Sequence, residues 1–409
     1  MPDAENHQSI SGDPDFRRLW TGQAVSQFGT AVGSTALPVV ALDVLHTSTF
    51  GVTLLAALTS ITTLLVALPI GHWAEFHAKR AAMIAADGLR FVALLSVPIA
   101  YVLHRLTFAQ LGVVAVLTGF GQLLFLAAAQ AHLTDLVSRP RLVDANSRLL
   151  SSTWLSLSIG PALGGVLIDA VNAVSTMLVD AVSYLASAAA IVLIRKPESP
   201  PTRPAGDRSV RSELLSGAAF LFSRPDLRRL LISWIGYVGC IALTTPLTAV
   251  LYLRVLHFSK LQYGLILGLP SLAGFVGSRL TRRAVTRFGS LRTIRWAALL
   301  RIPGLVVIPL AGRGWLGVLV CGVGFAALLL FSSLGNAAMT GYRQLRTPDD
   351  LLARTATFWS FAPGLVQPVL ILAGGALATA IGVRAGLLVA AAGVLLSALV
   401  LPSATTAEL

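Results

Sequence analysis

The chain has 409 residues, of which 55% are hydrophobic and only 12% are charged; its mean hydropathy is +0.77. Soluble domains carry about 25% charged residues, so this chain has too little polar material to cover a water-soluble globule. Uncharged segments of about 20 residues recur along the sequence, and each is long enough to cross a bilayer as a helix. The composition therefore predicts an all-α polytopic membrane protein.

Apolar runs and their polar breaks predict twelve transmembrane helices. In chain order they cover residues 19–43, 51–70, 81–103, 108–136, 148–168, 173–194, 228–253, 260–279, 291–311, 315–341, 351–379 and 384–402. With a cytoplasmic N-terminus, the basic residues that fall on the outer side are only Arg105, Arg254, Lys260, Arg313 and Arg384. This bias indicates that both termini are cytoplasmic in a plasma (cell inner) membrane. It also explains the net charge of +13 through the anionic inner leaflet, without nucleic acid.

The sequence divides into two similar halves. The polar segment RKPESPPTRPAGDRSVRSELL, residues 195–215, is typical of a cytoplasmic linker, and six predicted helices lie on each side of it. DFRRLWTGQAVSQFG at residue 15 matches DLRRLLISWIGYVGC at residue 226, and VSRPRLVDANSR at 137 matches LRTPDDLLARTA at 345. Repeated six-helix halves are a transporter architecture. The predicted domains are a bundle at 1–194, a linker at 195–224 and a bundle at 225–409.

A charged hairpin, GHWAEFHAKR, joins the second and third predicted helices. Gly71 allows close helix approach, and Lys79 and Arg80 anchor the third helix at the inner leaflet. Two more charges, Asp87 and Arg90, lie one turn apart inside that helix, where charges are costly unless paired.

The hairpin resembles the loop between helices 2 and 3 of the major facilitator superfamily, and the resemblance extends over nearly the full chain. The glycine and the two basic residues match that loop, whereas Glu75, Phe76 and Ala78 stand where Asp, Arg and Gly are usual. In this superfamily the acid resembles a latch that holds the cytoplasmic side closed. We therefore expect Glu75, Asp87 and Arg90 to form one inner-gate network. A static ion pair that fixes helix packing is the alternative.

The segment GPALGG, residues 160–165, lies on the fifth predicted helix. It resembles the end of the motif typical of superfamily members that export their substrates, although Ser147 and Ser156 stand where earlier glycines are usual. Pro161 should bend the helix, and close helix approach is expected at three glycines, Gly160, Gly164 and Gly165. Ordinary tight packing is the alternative. FRRLWTGQAVSQFG and DLVSRPRLVDANS are similar to the subgroup of drug and siderophore exporters, which are proton antiporters.

Asp180 is the first candidate for proton coupling. It begins a polar stripe on the sixth predicted helix that continues through Ser183, Tyr184 and Ser187. Such a stripe faces protein or a water-filled cavity rather than lipid. Asp87 and Glu75 are the other candidates, and a structural Asp that joins helices is the alternative.

Candidate substrate contacts are polar and aromatic residues inside the predicted helices. A polar stripe on the first helix includes Gln23 and Gln27, and the later helices contribute Trp154, Trp234, Tyr237, Asn336 and Trp359. Such groups suit an amphipathic molecule, including a cationic one. For each residue a structural role is the alternative, and His132 is interpreted as a buried core histidine.

The sequence has no phosphate-binding loop, His-Glu-x-x-His motif, cysteine cluster or nucleophile elbow. We therefore expect no enzyme, cofactor or metal site. The prediction is a monomeric secondary transporter that exports a hydrophobic or amphipathic small molecule, such as a drug, antibiotic or siderophore, against protons by alternating access. The resemblance implies efflux and drug resistance. A nutrient or metabolite importer and a non-coupled lipid scramblase or sensor are the alternatives.

Overall fold

The computed structural model describes residues 13–75, 77–198 and 210–402, and every regular element within them is helical. Six helices precede the predicted linker: α1 Pro14–Gly33, α2 Thr49–Glu75, α3 Lys79–Val102, α4 Phe108–Leu136, α5 Leu142–Ala170 and α6 Ala173–Val192. Between α1 and α2 lie a short helix, Ala36–Val39, and a π-helical turn, Val40–Val44.

Seven helices follow α6, and the first of them lies inside the predicted linker. They are α7 Val210–Ser223, α8 Pro225–Val250, α9 in two pieces Lys260–Gly268 and Ser271–Phe288, α10 Ser290–Leu310, α11 Gly314–Arg346, α12 Leu352–Ile381 and α13 Val383–Leu399. A second π-helical turn, Leu251–Val255, follows α8. Of the described helices, eleven are long and apolar enough to cross a bilayer. The twelfth predicted span, α13, is apolar but has only 17 residues. The predicted all-helical fold is confirmed, with an approximate count of twelve spans.

Helix ends differ from the predicted limits where local hydrogen bonds decide them. The first helix begins at Pro14 rather than residue 19, because the Asp13 carboxylate accepts hydrogen bonds from the backbone N–H groups of Asp15 and Phe16 at 2.9 and 3.2 Å. The predicted linker also contains a helix, α7, which the hydropathy pattern missed. Its Leu221 side chain is fully buried, and α7 packs against α12. Residues 199–209 of that linker lie outside the described part.

The contacts divide the chain into two compact units: Met1–Val40 with Leu65–Ala205, and Ala41–Leu64 with Gly206–Leu409. In the first unit, α1 packs on α5 and α6, while α3 packs on α4 and α6. In the second unit, the corresponding helices repeat this pattern: α8 packs on α12 and α13, while α10 packs on α11 and α13. The sequence repeat is therefore also a repeat of helix packing.

The segments after α1 and α8 repeat each other in detail. Each has a π-helical turn that ends in valine and is followed by Leu-His. Both histidines, His46 and His257, have positive φ angles of 49° and 54°. The carbonyls of Ala41 and Tyr252 accept equivalent hydrogen bonds of 2.9 Å from the backbone N–H groups six residues on. The two members of each of three residue pairs are separated by the same number of residues along the chain. The pairs are Asp15 and Asp226, His46 and His257, and Arg90 and Arg301.

Candidate functional site

The carboxylate of Asp180 lies inside the first unit, where α6 crosses α1. Its side chain is only 7% exposed, and Oδ1 accepts a hydrogen bond of 3.2 Å from the Thr30 hydroxyl. That hydroxyl also lies 2.9 Å from the Tyr184 hydroxyl. Small residues on α1 make room for the acid, since a Cβ added at Gly33 would lie 2.8 Å from Asp180 Oδ2. The predicted polar stripe therefore faces α1 and not lipid.

A buried ion pair between Asp87 and Arg90 of α3 lies beside this acid. The Asp87 side chain is 0% exposed, and Arg90 is 1% exposed. Arg90 Nη1 also donates a hydrogen bond of 2.6 Å to the Gln122 side chain. Its guanidinium carbon lies 4.2 Å from the centre of the Tyr184 ring. Tyr184 thus contacts both the Asp87–Arg90 pair and, through Thr30, Asp180.

This arrangement gives the first unit two carboxylates of different character. Asp87 is neutralised by a fixed cation, whereas Asp180 is held by a hydroxyl group that can adapt to either protonation state of the acid. Ionisable groups inside a membrane bundle commonly mark proton relays. The sequence analysis identified both acids, but it did not identify Gln122 as a partner.

Lys79 and Arg80, the predicted anchors of the third helix, have partners that differ from those of Asp87 and Arg90. Lys79 and Arg80 begin α3, and their backbone N–H groups donate to the Glu198 carboxylate at 2.9 and 2.7 Å. Lys79 Nζ also pairs with Asp135 at 2.6 Å. Asp87 and Arg90 lie deeper in α3 and pair with each other rather than with Glu198 or Asp135. The sequence analysis missed Glu198 because its contact with α3 depends on how the chain folds back after α6.

Gly71 and Glu75 lie in the last turns of α2, and their side-chain surroundings are outside the described part of the structure. The hairpin to α3 is shorter than its charge pattern suggests, because α2 ends at Glu75 and α3 begins at Lys79. The gate role of Glu75 stays a prediction.

The GPALGG segment packs directly on α1. A Cβ added at Gly160 would overlap the Ala31 side chain, and one added at Gly164 would overlap the Val32 carbonyl oxygen. Gly165 and Pro161 are also buried, and α5 continues as a helix through Pro161. The close packing is present, while the exporter role of this segment stays a prediction.

The substrate candidates fall into one set in each unit. In the first unit, Gln23 is buried, Gln27 accepts a hydrogen bond of 2.7 Å from Thr153, and the neighbouring Trp154 is half-buried. In the second unit, the rings of Trp234 and Trp359 stack with their centroids 6.3 Å apart.

A small cavity in the second unit brings together Trp234, Tyr237 and Asn336. Arg301 also lines it, and its guanidinium carbon lies 3.4 Å from the centre of the Tyr237 ring. The topology prediction left Arg301 on the inner side, because it is not among the five outer basic residues; the structure buries it about three turns inside α10, with its side chain only 6% exposed. Arg301 corresponds to Arg90 in the repeat, and this correspondence was the sequence signal that could have indicated its burial.

His132 is fully buried on α4, and neither ring nitrogen has a hydrogen-bond partner in the described structure. Apolar side chains of α4, including Leu133 and Leu136, belong to the core around it. Among the described residues, no group of three His, Cys, Asp or Glu side chains could hold a metal ion.

The repeated helix packing and the ionisable groups buried inside each unit are features of a multi-pass membrane transporter. The model of the Major Facilitator Superfamily matches residues 19–345. The chain therefore belongs to this superfamily.

Two relatives are exporters by name. The multidrug efflux pump Tap of Mycolicibacterium fortuitum is 25% identical over 257 residues, which cover 61% of this chain and 62% of that protein, less than two thirds of the pump's length. The enterobactin exporter EntS of Citrobacter koseri is 25% identical over 374 residues, which cover 87% of this chain and 83% of that protein.

Solved structures with the same fold carry the names of different transporters. A bacterial homologue of the iron transporter ferroportin superposes with a TM-score of 0.77 at 17% identity, covering 96% of this chain and 98% of that one. The nucleoside transporter NupG gives a TM-score of 0.74 at 10% identity, covering 94% and 97% of the two chains. At these identities the likeness establishes the fold alone.

Proposed function

We propose that this protein is a secondary active transporter that exports an amphipathic small molecule in exchange for protons. The observation that supports coupling is the buried Asp180 carboxylate, which is held by the Thr30 hydroxyl between α6 and α1. The names of the two relatives, a multidrug efflux pump and a siderophore exporter, favour outward transport. The proposed setting is a bacterial inner membrane, with both termini in the cytoplasm.

Asp180 suits a proton carrier because its hydrogen bond joins two helices. When the acid is charged, it accepts from Thr30; when it is protonated, it can also donate. Loading and release of a proton therefore change a contact between α1 and α6. Helix α1 also carries Gln23 and Gln27, so this change can affect the substrate contacts of the first unit.

Asp87 and Glu75 are the other carrier candidates. Asp87 is less suited because Arg90 neutralises it within the bundle, and a carrier must alternate between charged and neutral forms. Glu75 keeps its proposed role in closing the inner side, with Gly71, Lys79 and Arg80 fixing the α2–α3 hairpin.

Efflux from loaded vesicles, with and without a proton gradient, tests this function. Growth of a sensitised host on a panel of toxic compounds first supplies a transported compound. We expect wild-type protein to move that compound uphill only when the gradient is present. Gradient-independent transport would contradict proton coupling.

The variant Asp180→Asn tests the carrier. Asn keeps the shape and can hydrogen-bond but cannot exchange a proton, so uphill efflux should be lost while downhill exchange continues. Asp144→Asn, which changes an exposed acid at the start of α5, is the matched control and should behave as wild type. Uphill efflux by a well-expressed Asp180→Asn protein would leave Asp180 structural and move the search to Asp87 or Glu75.

A further inference from the structure

Arg301 is a buried cation without a described counter-charge. Its side chain is 6% exposed, its Nε has no hydrogen-bond partner, and no described carboxylate lies within ion-pair distance of it. The guanidinium instead stacks on the Tyr237 ring. A charge inside a membrane bundle is costly unless it is paired, and unpaired cases commonly mark substrate or ion paths.

The internal repeat shows what is missing beside Arg301. Its counterpart Arg90 pairs with Asp87, three residues earlier on the same helix. At the same constant spacing, the residue that corresponds to Asp87 is Ala298. Ala298 is buried and lines the same small cavity as Arg301. The second unit thus has the buried arginine, but a methyl group stands where the first unit has the acid.

The cavity has the size and lining to receive one acidic oxygen. Its volume is about 10 Å³, close to the space that one water molecule needs. The Asn336 amide supplies a polar group, while the Tyr237 hydroxyl donates its proton to Ser332 at 2.6 Å. Trp234 supplies an aromatic wall that stacks on Trp359. A guanidinium is the preferred protein partner for a carboxylate or similar oxyanion.

We propose that Arg301 binds an anionic oxygen of the transported molecule, whose apolar body lies on the Trp234 ring. The substrate class is then an amphipathic acid. This inference rests on the transport function proposed above, because it assigns the substrate charge within that function. The inference narrows the substrate class predicted from the sequence, which included cationic molecules. A buried cation disfavours cationic molecules at this site.

Equilibrium binding to the purified full-length protein in lipid nanodiscs tests the charge preference. The probes are 1-naphthaleneacetate and its neutral amide, which share one apolar body and differ in charge. We expect the acid to bind about tenfold or more tightly than the amide, as for loss of a hydrogen bond to a charged group. Arg301→Gln should remove this preference, and Arg301→Lys should retain part of it. Arg295→Gln, at an exposed position of the same helix, should change nothing.

The variant Ala298→Asp separates a binding role from a structural one. The new carboxylate, three residues before Arg301, recreates the pair seen in the first unit. We expect it to raise the Tm of the protein and to abolish the preference for the acid. A stabilised variant that still prefers the acid would overturn the proposal. If this variant does not fold, the Gln and Lys replacements of Arg301 decide the question.

The binding assay uses no proton gradient, so its result is independent of coupling. Equal binding of the acid and the amide by wild-type protein would refute the role of Arg301 and leave the transport proposal intact. Equal competition by acetate, which has no apolar body, would overturn the assignment of an amphipathic substrate. Acid-selective binding without gradient-driven efflux would support Arg301 and contradict only the coupling.

Discussion

Arg90 is a fully buried arginine whose charge is balanced by its own helix. Asp87 lies three residues earlier, so the two side chains share one face of α3. Gln122 and the Tyr184 ring occupy the remaining sides of the guanidinium. Removing one member of such a pair leaves an uncompensated buried charge, which costs far more than removing both.

A double-mutant cycle tests this pair. We expect Asp87→Asn to destabilise the protein by about 3 kcal/mol, because Arg90 loses its counter-charge. Asp87→Asn combined with Arg90→Met should be more stable than Asp87→Asn alone. Thermal unfolding of the purified variants provides the measurement. Additive effects of the two substitutions would show that the pair is not coupled.

Close packing of α5 on α1 depends on glycine at two positions one turn apart. Gly160 and Gly164 bring the α5 backbone against Ala31 and Val32. Any side chain at Gly164 would collide with a backbone carbonyl, which cannot move aside as a flexible side chain could. This makes the spacing of α1 and α5 sensitive to a single methyl group.

Gly164→Ala should therefore lower the free energy of unfolding by about 1–3 kcal/mol, the range for overpacking. Gly88→Ala on α3 is the matched control, because nothing lies within 4 Å of a Cβ added there. Alanine favours helix over glycine by up to about 1 kcal/mol, so the control should be neutral or stabilising. Unfolding temperatures of both variants provide the comparison, and equal loss at both sites would contradict the packing argument.

The start of α3 is capped by an acid from a distant part of the sequence. The two oxygens of Glu198 accept hydrogen bonds from the first two N–H groups of α3. A negative charge at a helix N-terminus is stabilised by those groups and by the helix dipole. The segment after α6 is thereby fixed to the N-terminal end of α3.

Glu198→Gln should loosen this cap, because a neutral amide accepts weaker hydrogen bonds than a carboxylate. A loss of about 1 kcal/mol corresponds to roughly fivefold faster amide hydrogen exchange at Lys79 and Arg80. Glu213→Gln in α7, whose carboxylate has no described ion pair, serves as the control. Unchanged exchange at the start of α3 would show that Glu198 does not hold it.

At the scale of the whole molecule, the repeat and the distribution of positive charge predict the topology. Corresponding helix pairs pack alike in the two units, as expected when one six-helix arrangement occurs twice. The positive-inside rule then predicts that the segment between the halves is cytoplasmic, because basic residues cluster in and after it.

Cysteine labelling in intact cells tests this topology. Ser209 lies in the segment outside the described residues, and Arg313 is exposed in the connection before α11, which the topology predicts to be on the outer side. In a background without Cys240 and Cys321, an impermeant thiol reagent should label Arg313→Cys and leave Ser209→Cys unlabelled until the cells are opened. Ready labelling of Ser209→Cys in intact cells would reverse the orientation.

The sequence by itself determined the class of fold. Shortage of charge, the length of the apolar segments and the repeat around Asp15 and Asp226 were sufficient, because a bilayer allows few ways to satisfy a backbone. The helix caps were harder to predict: Asp13 extends α1 by a local hydrogen bond, and α7 is too short and too polar at its start for a hydropathy pattern to detect.

Only the tertiary structure decided which charges have partners. The sequence identified Asp180 and Asp87, since an acid in an apolar helix is conspicuous, and it placed Arg90 one turn from Asp87, but it gave no sign that Arg301 is buried away from any acid. A basic residue in a predicted helix can reach the membrane interface or lie buried inside the bundle. The sequence pattern is the same in both cases. The contact of Arg301 on α10 with the Tyr237 ring of α8 resolves this choice, because the residues that surround a charge come from other helices.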